Sequence, residues 1–133
     1  MSVDNRTVVG DTLDLMIKYC NDTAFIVYRI GTIEALKGDV MNQYALTGPI
    51  QQIGESTGRI DIWLENHYSY QWSKVIGFRN ILSHNYDRLD LDILWGIATE
   101  KVPEVLNILL ELKEKAPSYP DEDYLYIGSR RSR

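Results

Sequence analysis

The chain has 133 residues, of which 44% are apolar, 25% charged and 11% aromatic, the profile of one folded domain rather than two domains or a disordered chain. Its net charge of −5 argues against sequence-independent DNA binding, which rests on neutralising phosphates. No apolar run approaches the ~20 residues needed to span a bilayer, and the polar opening MSVDNRTVVGD is unlike a signal peptide, so the expected compartment is the cytoplasm.

In chain order, Val9, Leu13, Met16, Ile17, Cys20, Ala24, Val27 and Gly31 fall at steps of three and four, which predicts a first helix with one apolar stripe. Cys20 is the only cysteine, so an internal disulfide and multi-cysteine metal scaffolds are excluded, and it reads as a small buried residue in a reducing compartment. Gly31-Thr32 predicts a stop and Lys37-Gly38-Asp39 a second break. Ile50, Ile53, Thr57, Ile60 and Leu64 carry the same rhythm through a second helix from about Asp39 to Leu64. Gly48-Pro49 interrupts it, because proline lacks an amide donor and crowds the preceding turn. The alternatives are a kink or two helices, and the kink is preferred because the rhythm resumes at once.

Asn66 to Gln71 reads as a polar, aromatic connection. A third helix is expected from Trp72-Ser73, with Ser73 as its N-cap, to Ser83 or His84, followed by a loop from Asn85 to Asp90. Asp90 or Asp92 then caps a fourth helix that reaches Lys115 and turns Leu91, Leu94, Trp95, Ala98, Val102, Val105, Leu106, Leu109 and Leu112 inward, with a kink at Pro103. Pro117 and Pro120 end it. No segment alternates with period two, so the expected architecture is an all-α bundle of four main helices over residues 1–116, with 117–133 a mobile polar tail ending in GSRRSR.

Phosphate-binding loops, dinucleotide fingerprints, zinc-protease and nucleophile-elbow motifs are absent, and the two histidines, His67 and His84, give a zinc site little support. No metal and no cofactor is expected. From Asn66 to Tyr86 there is no Asp or Glu, the longest such stretch in the chain. Within it lies Arg79-Asn80-Ile81-Leu82-Ser83-His84-Asn85-Tyr86. Arginine offers a permanently charged planar fork for phosphate oxygens, and histidine takes and gives protons near neutrality. These are the parts of a metal-free RNA cleavage, in which a base removes the 2′-hydroxyl proton, an acid protonates the leaving 5′-oxygen, and a cation stabilises the pentacoordinate phosphorus. On an uninterrupted helix, however, residues five apart point roughly 140° away from each other. Arg79 would then share a face with Ser83 and nearly with Tyr86, while His84 points elsewhere. Convergence requires unwinding at Ser83–Asn85 or a second copy of the motif across a two-fold dimer. The plainer alternative pairs Arg79 with an acid such as Glu55 and leaves His84 capping a helix end.

R-x4-H-x-Y at Arg79, His84 and Tyr86 resembles the signature of the HEPN superfamily, and specifically the HepT-like toxins of HepT/MntA toxin–antitoxin pairs. The flanking blocks extend the resemblance over residues 8–112: Ile53-Gly54-Glu55, the run from Trp72 to Asn80, Leu89 to Trp95, and Pro103. The resemblance implies an all-helical homodimer with both motifs at a shared cleft, and metal-independent endoribonuclease activity on RNA. It makes Arg79 the residue that positions and stabilises the phosphate and His84 the general acid or base, supported by Asn80 and Ser83. It also implies an MntA-like minimal nucleotidyltransferase antitoxin that adds AMP to Tyr86. Some HEPN domains only bind or dimerise, so a non-catalytic helical dimer regulating a partner nucleotidyltransferase is the alternative. Tyr68 and Tyr70 are candidate base-stacking rings, and Lys74 and Arg88 candidate contacts to the RNA backbone. Trp63, Trp72 and Trp95 read as core or dimer anchors, Glu55 as hydrogen-bonded within the bundle, and His67 as a surface residue.

Overall fold

The computed structural model describes residues 4–81 and 89–128. Helix α1 spans Asn5–Ile30, and the Asp4 side chain caps it by accepting from the Arg6 amide at 3.1 Å. Val9, Leu13, Met16 and Cys20 are fully buried along the expected stripe. The helix ends at Gly31, whose φ of 87° is readily held only by glycine and whose amide donates to the Val27 carbonyl at 2.8 Å. Near that end the inward position is Thr23 rather than Ala24. The Thr23 hydroxyl donates to the Tyr19 carbonyl at 2.8 Å, so a polar side chain is buried with its donor satisfied.

A short helix, α2 (Ile33–Gly38), fills what the sequence suggests is a simple link, capped by Thr32 onto the Ala35 amide at 3.1 Å. Helix α3 (Val40–Arg59) starts at Asp39, which accepts from the Met41 amide at 2.9 Å, and runs unbroken through Gly48-Pro49, so the two-helix alternative at the proline fails. The single helix expected to reach Leu64 instead breaks at Ile60 (φ −130°, ψ 31°) and restarts as α4 (Asp61–His67). The apolar rhythm hides this break, because Ile50, Ile53, Thr57, Ile60 and Leu64 are all fully buried on both sides of it.

The expected third helix is a helix of five residues, α5 (Trp72–Ile76), tightening into a 3-10 turn at Gly77–Asn80. Ser73 does not cap it. The entry is held instead by the Trp72 indole, which donates to the Tyr68 carbonyl, and by the Trp72 amide, which donates to the Tyr70 carbonyl, each at 2.9 Å. Helix α6 (Leu91–Gly96) is capped by Asp90, which accepts from the Ile93 amide at 3.1 Å. It passes through a π-helical segment, Ile97–Lys101, into α7 (Val102–Lys115). That segment stands where a kink at Pro103 is expected: the Val102 amide reaches back five residues to the Ile97 carbonyl. A proline ring crowds the carbonyl four residues before it, and the wider turn relieves that crowding. Leu94, Ala98, Val102, Val105, Leu109 and Leu112 are buried as expected and Ile108 joins them, while Leu91, Trp95 and Leu106 are half-buried.

Helix α1 packs most extensively against α3 and α7, α5 and its 3-10 turn lie on α3, and α2 bridges α3 and α6. The indoles of Trp63 and Trp72 sit in the common core. Residues 117–128, expected as part of a mobile tail, form with Ala116 a strap fastened to the bundle through 3-10 turns at Ala116–Ser118 and Asp121–Tyr124. The Arg6 guanidinium donates to the Tyr119 carbonyl at 2.9 Å and to Asp121 at 2.7 Å, and lies 4.3 Å from the Tyr124 ring centroid. Asn5 donates to the Tyr124 carbonyl at 2.8 Å, and the Trp63 amide to the Ile127 carbonyl at 3.1 Å. His67 is not a surface residue: its ring lies between Trp63 and Tyr119, with Nδ1 2.8 Å from the Trp63 carbonyl and Nε2 3.0 Å from Asp123. The polar composition of the segment conceals the two tyrosines that anchor it. The GSRRSR arginines fall outside the described residues.

Among the described residues there is no β-strand, and no helix is long and apolar enough to cross a membrane. The architecture is an all-α bundle.

Candidate functional site

The site is built where the 3-10 turn carrying Arg79 meets the middle of α3. Gly54 is buried on α3, and a Cβ placed on it would collide with the Arg79 backbone nitrogen and lie 2.9 Å from the Ile76 carbonyl oxygen and 3.0 Å from that of Val75. Only the absence of a side chain at Gly54 lets the turn lie directly on α3. The Phe78 ring, 8% exposed, pins the turn to the core from inside. The Ile81 amide then donates to the Phe78 carbonyl at 3.2 Å. Arg79 is thus held by its main chain, and its half-buried side chain makes no ion pair or hydrogen bond among the described residues. Glu55 is exposed, and neither the Arg79–Glu55 pairing nor a hydrogen bond between Glu55 and the bundle is made among the described residues.

Of the other predicted site residues, Asn80 is exposed directly after Arg79. Ser83, His84, Tyr86 and Arg88 lie outside the described residues, so whether His84 converges on Arg79 lies there too. The turn from α-helix to 3-10 at Gly77 means that the 3.6-residue arithmetic no longer applies at Arg79. The residues on either side of 82–88, Ile81 and Leu89, both pack against the core, and Asp90 immediately starts α6.

Lys74 is exposed on α5, next to the half-buried Tyr68 and Tyr70 of the preceding loop. Tyr68 packs against the core, while the Tyr70 hydroxyl donates to Glu104 of α7 and its ring meets Trp72 edge-on at 5.3 Å. Burial and the Glu104 hydrogen bond push the Tyr70 phenol well above its ordinary value, so it remains neutral. Tyr70 is therefore a fixed ring rather than a free one, a commitment to α7 that local sequence does not reveal. Trp63 and Trp72 are core residues as expected, and Trp95 is half-buried. Cys20 is buried against α1's neighbours, which pushes its thiol up to about 12 and rules it out as a nucleophile near neutral pH. Among the described residues no three His, Cys, Asp or Glu side chains are grouped to hold a metal ion.

The chain is similar to a protein of Methanocaldococcus jannaschii named "Putative RNase MJ1380", at 35% identity over 66 residues, 49% of this chain and 61% of the length of that relative. No solved structure matches the chain significantly. The family described as Ribonuclease HepT-like matches residues 16–112, which takes in α3 with Gly54, the Arg79 turn and the π-helical segment. The chain belongs to the HepT-like ribonuclease family.

Proposed function

We propose that the protein is an endoribonuclease toxin that cleaves RNA without a metal ion, as a homodimer in which two copies of Arg79 and His84 face one cleft. The observation that carries this reading is the family match from residue 16 to residue 112, a span that contains the whole Arg79–Tyr86 motif. The fixing of the Arg79 main chain on Gly54 supports it, because a cation that must meet one phosphate gains from a rigid base.

In the proposed reaction the 2′-oxygen attacks the adjacent phosphorus as one imidazole takes its proton. The bond from phosphorus to the 5′-oxygen breaks, and the leaving oxygen is protonated by the second imidazole. Arg79 holds the non-bridging oxygens, on which negative charge builds. The products are a 2′,3′-cyclic phosphate and a 5′-hydroxyl. Asn80 and Ser83 orient the linkage, and Lys74, Arg88, Tyr68 and Tyr70 contact flanking RNA. The proposed antitoxin is an MntA-like nucleotidyltransferase of the same cytoplasm that transfers AMP to the Tyr86 hydroxyl. This would place bulk and a phosphodiester charge two residues from His84, where RNA phosphate must sit.

Pure protein incubated with RNA in excess EDTA is expected to yield fragments ending in 2′,3′-cyclic phosphate. Cleavage should fall by two or more orders of magnitude in Arg79→Ala and His84→Ala, in keeping with the loss of a positioned acid–base or charge-stabilising group. Intact RNA after incubation with the unmodified protein would refute the enzymatic reading. Co-expression with the partner nucleotidyltransferase should add one adenylyl mass, and an increment that survives Tyr86→Phe would refute modification at that tyrosine.

A further inference from the structure

Beside the Arg79 turn, between α5 and the π-helical segment, lies a cavity of about 380 Å³, lined in part by Tyr70 and Lys74. Val75, Phe78, Ile81 and Ile97 form its apolar walls, with Lys74 and Lys101 also lining it, one from each side. Among the described residues its lining includes no Asp or Glu, although the chain as a whole carries a charge of −5. Of its described lining residues, all but Ile97 and Lys101 come from the acid-free stretch that begins at Asn66. The space above Gly77 is open, since a Cβ placed there meets nothing within 4 Å.

We propose that this cavity receives one unpaired nucleobase of the RNA, with Lys74 and Lys101 taking the phosphates on either side of it. The inference rests on the ribonuclease reading and adds to it a site for the base. Its volume lies at the small end of the ~300–1,000 Å³ typical of ligand pockets, suited to a single ring system rather than a peptide helix. Apolar walls discriminate little between bases, and Gln71, which also lines the cavity, carries an amide with both a donor and an acceptor for a base edge. The base must be unpaired, because a duplex does not present its faces. Charge complementarity sets the occupant. Lys74 makes no ion pair among the described residues, and Lys101 has only a loose one, 3.9 Å from the Glu104 carboxylate that already accepts from Tyr70. Phe78 of the cavity wall is chain-adjacent to Arg79, so a strand with its base here would pass close to the turn that carries that residue.

The test uses the full chain and a fluorescent 2′-O-methyl hexanucleotide, which cannot undergo 2′-oxygen attack, so binding is read separately from cleavage. Gly77 lines the cavity and has an ordinary helical φ of −59°, so Gly77→Leu adds bulk at its rim without backbone strain. It is expected to weaken binding about tenfold, the scale of one lost base stack, while changing binding of the same oligomer stripped of its bases less than twofold. Lys74→Ala with Lys101→Ala should weaken both oligomers and flatten the salt dependence. Ile97→Trp fills the cavity from the opposite wall and serves if Gly77→Leu proves unstable to urea. The proposal is overturned if the oligomer does not bind, if the base-free oligomer binds as well as the complete one, or if both cavity-filling variants bind normally. It is equally overturned if they instead lower the mass in sedimentation, which would make a second copy the occupant. Cleavage of natural RNA, measured in parallel, decides the ribonuclease reading independently.

Discussion

At Gly54 the presence of hydrogen instead of a methyl group determines where Arg79 can be. The obstacles to a Cβ there are backbone atoms of the turn, which cannot rotate away as a side-chain tip would. Gly54→Ala is therefore expected to lift the Arg79 turn from α3, at a cost of about 1–3 kcal/mol, the range found for overpacked sites. The check has two parts: the urea midpoint should fall, and RNA cleavage should fall by much more than the small unfolded fraction accounts for. Normal cleavage in a stably folded Gly54→Ala protein would mean that the turn tolerates displacement. Arg79 itself was legible from the sequence because chemistry-bearing residues in an acid-free setting stand out. The support beneath it was not legible, because nothing in the order of residues measures the distance between Gly54 and a turn some twenty positions later. For the same reason Glu55 reads as a partner for Arg79 although the two form no ion pair among the described residues.

Among the elements, the long helices were readable and the short ones were not. Helix α1 repeats its apolar step over many turns and is closed by Gly31, so both its existence and its stop followed from spacing. Helix α2, with six residues, is too brief to display a period. The break at Ile60 was invisible because burial continues across it, and the π-helical segment was invisible because Ala98 and Val102 keep a four-residue step while the backbone between them widens. Asp90 is the element-scale feature on which the candidate site leans: it begins α6 two residues after the segment that carries His84 and Tyr86. Asp90→Ala removes the acceptor for the Ile93 amide and should lower stability by about 1 kcal/mol, read as a shift in the urea midpoint. Amide exchange at Ile93 and Leu94 should accelerate more than exchange within α1. Equal acceleration everywhere would show that the cap acts on the whole bundle rather than on its own helix.

For the molecule as a whole, the strap joins the ends of the described chain. Bonds from Asn5 and Arg6 reach residues 110 to 119 positions away, and the Arg6 contacts combine a carbonyl, a carboxylate and an aromatic face. The α1–α3 and α1–α7 interfaces draw on continuous apolar faces, while the strap depends on a few polar bonds and the rings of Tyr119 and Tyr124. Contacts of such long separation close the largest loops, and they form only once the helices between them are in place. The consequence is kinetic. Arg6→Ala should leave the refolding rate in stopped-flow traces nearly unchanged and speed unfolding, because an interaction absent from the transition state lengthens the lifetime of the native state alone. Slower refolding of Arg6→Ala would instead place the joining of residues 6 and 121 at the start of folding.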